Sequence, residues 1–195
     1  MKATRNEPIE LFKRWLNEAN SAEPINPNAM TLATADLDGR PSARMVLLKD
    51  VDIDGFVFYT NLGSRKALEL SENPFAALCF YWKNIAKQVR VEGEIEQVGD
   101  VEADNYFEGR PRLSQLAAWA SKQSMPVEDS MALEKRVAKF TARFNVGRIP
   151  RPEFWSGYRL KPSRIELWKE AAFRLHDRTL YTKDGNEWFV QKLYP

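Results

Sequence analysis

The sequence is poor in the residues that build metal centres and covalent staples: its 195 residues include one cysteine, Cys79, and one histidine, His176. A single imidazole excludes a multi-histidine metal site, and a single thiol excludes an internal disulfide or a cysteine-ligated zinc. No metal is expected. Cys79 stands in the apolar run Phe75-Ala-Ala-Leu-Cys-Phe80 and reads as a buried structural thiol rather than a nucleophile. Long apolar runs are missing too. The longest, Phe75 to Trp82, falls far short of the roughly 20 residues of a membrane helix, and no signal-like apolar segment follows Met1. These features fit a chain in a reducing cytoplasm, with no membrane partner. Charge of one sign is also scarce. With 29 Lys and Arg against 27 Asp and Glu the net charge is +2, too small for a field that gathers nucleic acid, so an anion site has to come from local clusters. Neither the Gly-x-x-x-x-Gly-Lys phosphate loop nor the Gly-x-Gly-x-x-Gly dinucleotide fingerprint occurs.

What the sequence does hold is apolar mass. Apolar residues make up 44% of it, including six Trp, six Tyr and 11 Phe, enough to close a core without staples. There is no repeat, low-complexity segment or Gly/Ser linker, so residues 1–195 read as one domain. Ile9, Phe12, Trp15 and Leu16 recur at helical spacing and predict an amphipathic helix over about 7–19, with Pro8 in its first turn. After the Ala22-Glu-Pro-Ile-Asn-Pro-Asn28 loop the period changes to alternation. Met30–Ala35 and Ser42–Lys49 form a hairpin around Asp38-Gly39, and Asp54-Gly55 turns the chain into a strand at Phe56–Thr60. Ser64 is set to cap a helix from Arg65 to about Glu72. Strands follow at Phe75–Trp82 and Lys87–Val98, then helices at Asp100–Glu108, from Pro111 to Trp119, and at Ser130–Asn145. The C-terminal strands, over about 154–193, are Trp155–Leu160, Ser163–Lys169, Phe173–Leu180 and Glu187–Leu193. The fold class is α+β, with a mostly antiparallel sheet that is either open or closed as a barrel.

Four clusters could carry chemistry. Arg44-Met-Val-Leu-Leu-Lys49 puts two cations on a strand; five residues apart, they should face opposite sides unless a bulge intervenes, and two solvated charges are the plain alternative. Tyr59-Thr-Asn-Leu-Gly-Ser-Arg-Lys66 combines a strand end, a glycine turn and two cations at a helix start, where they oppose the macrodipole unless an anion joins them. An ordinary helix cap with solvated charges is the competing reading. Tyr106, Arg110 and Ser114 lie four apart, but Gly109 and Pro111 imply a break, so the three meet only if two helices aim at one pocket. Arg174, His176 and Arg178 would share one strand face, too polar for core.

Arg44-Met-Val-Leu-Leu-Lys49, Phe58-Tyr-Thr-Asn-Leu-Gly-Ser-Arg-Lys66, Ser121-Lys-Gln-Ser124 and Arg174-Leu-His-Asp-Arg178, in this order, resemble the pyridoxamine 5'-phosphate oxidase family, and the similarity runs over nearly the whole chain. The resemblance implies an FMN-binding split β-barrel with peripheral helices, working as a homodimer with flavin in the cleft between subunits. It implies FMN contacts from Arg44, Met45, Val46, Leu47, Lys49, Tyr59, Thr60, Arg65, Lys66 and Gln88, with Gln123, Ser124, Trp168 and Arg178 coming from the other subunit. Lys49, Tyr106, Arg110 and Ser114 would surround a substrate phosphate, and Arg174 and His176, the catalytic pair, would lie over a pyridine ring. The implied reaction is oxidation of pyridoxamine or pyridoxine 5'-phosphate to pyridoxal 5'-phosphate, with O2 as acceptor and H2O2 released. Two departures from the family pattern stand out. Lys169-Glu-Ala-Ala-Phe173 replaces a glycine-rich pair, and Lys192 stands where an Arg usually precedes the final Leu-x-Pro.

Overall fold

The computed structural model describes residues Met1–Pro195. A short strand β1 (Lys2–Ala3) leads into helix α1 (Glu7–Ala22), then β2 (Ala29–Ala35), β3 (Pro41–Leu47), β4 (Asp50–Asp52), β5 (Gly55–Asn61) and α2 (Arg65–Glu72). β6 (Phe75–Trp82) and β7 (Lys87–Gln97) come next, followed by α3 (Asp100–Glu108), α4 (Arg112–Ala120) and α5 (Ala132–Arg143). The chain closes with β8 (Trp155–Lys169), β9 (Asp177–Asp184) and β10 (Glu187–Leu193). No helix is long and apolar enough to cross a membrane.

The strands form one antiparallel sheet, ordered β1-β10-β9-β8-β7-β6-β2-β3, with β5 and β4 joined through β8. The sheet splits at β8. One edge of β8 pairs with β7 along most of its length, while the other edge pairs first with β5, over residues 155–160, and then with β9, over residues 164–169. The change of partner falls at Pro162, opposite a register shift between Glu92 and Gly93. A Cβ on Gly93 would sit 2.0 Å from the Lys161 carbonyl oxygen, so glycine is needed for the two backbones to approach there. Trp155–Leu160 and Ser163–Lys169, expected as two strands, are therefore one. This is the open, α+β split barrel.

One sheet face carries the core. Phe12 of α1 is fully buried, with ring centroids 4.8 Å from Phe56, 4.9 Å from Phe80 and 6.0 Å from Trp82. α1 runs three residues beyond the expected Ala19. The Lys83–Ile85 connection is a 3-10 turn closed by Ala86 in the left-handed region, which joins β6 to β7 as a tight link.

Four local expectations are corrected. The Ser64 side chain makes no capping bond to α2; its hydroxyl accepts from Lys66 Nζ at 3.3 Å. α5 is two residues shorter at each end than the expected Ser130–Asn145 and buries no residue fully; Phe140 and Phe144 pack on Trp119. Cys79 is half-buried on the outer sheet face and not in the core; burial pushes its thiol up, which keeps it protonated. Phe173 to His176 are not strand, which begins at Asp177. Phe173 and Arg174 have φ of 56° and 62°, a left-handed turn that breaks the alternation, so Arg174 does not share a strand face with His176 and Arg178.

Because Phe12 is the hub of the α1 contact, Phe12→Ala should cost about 3–5 kcal/mol in urea unfolding of the purified chain. A loss below about 1 kcal/mol would show that α1 is docked by its polar contacts instead.

Candidate active site

Beside the core lies a cavity of about 740 Å³, bounded by β3, β5 and the α2, α3 and α4 segments. It brings together Arg44, Met45, Val46, Leu47 and Lys49 from the first cluster, Tyr59, Thr60 and Lys66 from the second, and Tyr106, Arg110 and Ser114 from the third, together with Gln123. Arg44 and Lys49 share it although strand alternation set them apart. β3 stops at Leu47; Leu48 N–H then donates to Asn28 O and Lys49 N–H to Val57 O, so the backbone crosses from β2 to β5 and parity is lost.

At one end the site is cationic and buried. Lys66 is 8% exposed, and its Nζ donates to Thr60 Oγ1 at 3.3 Å, Ser64 Oγ at 3.3 Å and Gln123 Oε1 at 3.1 Å. None of these acceptors is a carboxylate. Burial lowers its pKa, the nearby Arg44 charge lowers it further, and Glu69 opposes both. A desolvated ammonium with neutral partners is an unfinished ion pair, and an anion would complete it. Arg44 is held by Thr34, Ser42 and Glu69, and Arg65 by Glu69. Gln123 and Ser124, expected from a partner subunit, belong to this chain's own site: Gln123 also accepts from Thr60, and Ser124 Oγ accepts from Arg65 N–H at 3.2 Å. Arg65 and Ser124 stand at the rim rather than in the cavity lining.

At the other end Tyr59, Tyr106 and Trp155 form an aromatic stack, with Tyr59 and Tyr106 centroids 3.8 Å apart at 3° and Tyr59 and Trp155 5.3 Å apart at 6°. Gly157 of β8 lies directly opposite Tyr59 of β5, and a Cβ there would come within 2.6 Å of the ring. Burial, with Glu102 adding to it, pushes the Tyr59 phenol up to about 12, so it stays a hydrogen-bond donor. The Arg110 guanidinium lies over Trp155 at 4.7 Å, and its buried Nη1 has no partner. Burial lowers the Arg110 pKa. This nitrogen is the second unfinished ion pair.

Three residues that were not among the expected site residues build this end. Gln115 Nε2 donates to Phe107 O and Glu108 O, closing α3 where Pro111 starts the next turn, and so aims Tyr106, Arg110 and Ser114 together. Arg151 donates to Asp104, Asp100 and Trp155 O, which ties α3 to the start of β8. Trp155 itself lines the cavity.

The remaining expected residues lie elsewhere on the chain. Gln88, Trp168 and Arg178 are cross-strand neighbours in β7, β8 and β9. The His176 ring is 4.7 Å from that of Trp168, and its Nδ1 accepts from Ala171 N–H at 3.3 Å. Arg178 donates to Glu166 at 2.8 Å and to Tyr194 O at 2.9 Å. Within one chain neither this group nor exposed Arg174 lines the cavity.

Residues 16–144 match the family model described as pyridoxamine 5'-phosphate oxidase, and residues 155–195 match one described as the pyridoxine 5'-phosphate oxidase C-terminal dimerisation region. A pyridoxine/pyridoxamine 5'-phosphate oxidase of Maricaulis maris is 55% identical over 193 residues, 98% of this chain and 87% of the relative. The chain belongs to the pyridoxine/pyridoxamine 5'-phosphate oxidase family. A family member of that name from Brucella anthropi is 53% identical, over 97% of this chain and 95% of its own. Among solved structures, PhzG from Burkholderia lata 383, in complex with tetrahydrophenazine-1-carboxylic acid, superposes with a TM-score of 0.91 at 37% identity, covering 96% of this chain and 92% of that one. A pyridoxamine 5'-phosphate oxidase-related, FMN binding protein from Nostoc punctiforme shares the fold, with a TM-score of 0.78 at 18% identity, covering 95% of this chain and 96% of that one.

If Lys66 awaits an anion, Lys66→Met should leave the melting temperature of the ligand-free protein unchanged or higher, and should remove the stabilisation given by inorganic phosphate. A fall of more than about 5 °C without ligand would mean that its bonds to Thr60, Ser64 and Gln123 are structural.

Proposed function

We propose that this protein oxidises pyridoxamine and pyridoxine 5'-phosphate to pyridoxal 5'-phosphate with FMN as cofactor, as a homodimer in a reducing cytoplasm. One observation carries the reading: a single cavity has an unfinished cation at each end, buried Lys66 at one and orphaned Arg110 Nη1 at the other. Two phosphate esters need two such ends. The residues fit FMN, since Lys66 and Arg44 with rim residue Arg65 make a phosphate cradle at a helix start, and Met45, Val46 and Leu47 give an edge of strand backbone beside it. Gln123 and Ser124 close the cradle. When bound, FMN supplies two-electron oxidation at the substrate C4' carbon and is reoxidised by O2, giving H2O2.

The chain's own residues bind and orient. Arg110, Lys49 and Ser114 take the substrate phosphate, each charge-assisted hydrogen bond contributing about 1.5–3 kcal/mol, and Tyr106 extends the aromatic wall along which the substrate slides. Arg174 and His176 cover the substrate ring, orienting it and polarising its C4' substituent. They come from the second copy. Because His176 packs on Trp168 in the same chain, the subunit that supplies one supplies the other, and Gln88 and Arg178 adjoin Trp168 in the sheet. The match of residues 155–195 to a dimerisation region supports this assignment.

Purified protein given pyridoxamine 5'-phosphate and air should release H2O2 and the pyridoxal 5'-phosphate chromophore, and should turn over pyridoxamine lacking the phosphate far more slowly. Arg110→Ala and His176→Ala should each lower turnover while FMN stays bound. Co-expressed, the two variants should regain about a quarter of wild-type turnover, because half of the dimers then hold one intact composite site. Recovery no better than either parent would contradict a site shared between subunits.

A further inference from the structure

Glu69 lies one helical turn beyond Arg65 on α2, and its side chain is 7% exposed. Its Oε1 accepts from Arg65 Nε at 2.8 Å. Its Oε2 accepts from Thr34 Oγ1 at 2.5 Å, Ser42 Oγ at 2.6 Å and Arg44 Nη2 at 3.1 Å. Arg44 is fixed a second time, since its Nη1 donates to the same Thr34 hydroxyl at 2.5 Å and its Nη2 to Ser42 Oγ. Each oxygen of the carboxylate is thus committed, and the guanidiniums of two separate elements, β3 and α2, are tied to one anchor. Burial alone would raise this carboxyl, but the hydrogen bonds from Ser42, Thr34, Arg65 and Arg44 outweigh it and bring it down to about 2. The anchor stays charged across the whole working range of the protein.

We propose that Glu69 is a positioning residue: it holds Arg44 and Arg65 in the geometry that receives the flavin phosphate. The inference rests on the reading of the Lys66 end as the FMN phosphate cradle. Coulomb's law alone gives the opposite sign. A carboxylate near a phosphate dianion repels it, so if Glu69 only balanced charge, its neutralisation would tighten FMN. If it orients the cations, neutralisation loosens FMN, because the guanidiniums lose their common anchor.

The test titrates the FMN-stripped full-length chain with FMN and with riboflavin, which lacks the phosphate, following quenching of flavin fluorescence. Wild-type protein should bind FMN much more tightly than riboflavin; equal affinities would remove the phosphate cradle itself, and the proposal with it. Glu69→Gln should weaken FMN by roughly tenfold, about one charge-assisted hydrogen bond, and leave riboflavin within about twofold. Unchanged or tighter FMN binding by folded Glu69→Gln would overturn the proposal, as would equal weakening of both flavins. Should Glu69→Gln fail to fold, Thr34→Val keeps every charge and removes one shared hydroxyl anchor. It should show a smaller loss confined to FMN, and unchanged FMN affinity in it would overturn the proposal too.

Discussion

The site depends on positive charge that the protein leaves uncompensated. Arg44, Arg65 and Lys66 converge where β3 meets the start of α2, and a single carboxylate, Glu69, stands among them. Three cations against one anion leave two positive charges, the amount a phosphate monoester dianion neutralises. Such a cluster strains an empty site: like charges repel, burial penalises Lys66, and two of the cations sit at a helix N-terminus, where the macrodipole opposes them. The same terms become binding energy once a dianion is present. On the proposed reading, the repulsion among these cations is what a doubly charged phosphate would relieve.

The fold supplies the rigidity that this arrangement needs. β5, which carries Tyr59 and Thr60, is held along its length by the first half of β8, and the second half of β8 carries Trp168 beside β9. One strand therefore connects the cavity to the group around His176. The aromatic stack follows from the same strand, since Trp155 opens it and Gly157 leaves room for the Tyr59 ring to lie flat. Arg151 then locks α3 against it, which fixes Tyr106 on the stack.

Local chemistry was readable from the residues; tertiary consequences were not. The Asp-Gly turns and the helical recurrence of Ile9, Phe12 and Trp15 locate their elements because each signal lies within a few residues. The continuity of β8 through Pro162 does not, since proline ordinarily ends a strand and only the bulge at Gly93 accommodates it. Nothing in the residue type announces left-handed backbone at Phe173 and Arg174. Among site residues, the clustered cations stood out, but the convergence of Lys49 on Arg44 required knowing that β3 ends at Leu47. Glu69 was missed although its spacing of four from Arg65 on a predicted helix is a known pairing signal. Gln115 and Arg151 gave no such signal, because the backbone groups they satisfy are exposed only by the helix break and the strand start.

Phosphorus NMR of the purified protein with bound FMN probes the central claim directly. A free phosphate monoester changes between dianion and monoanion near pH 6, its second acid dissociation having a pKa of about 6, and its resonance moves with that change. A phosphate gripped by Arg44, Arg65 and Lys66 should remain a dianion, with a resonance that stays fixed from about pH 5 to pH 8. A resonance that titrates as the free ester does would mean that these cations do not hold it.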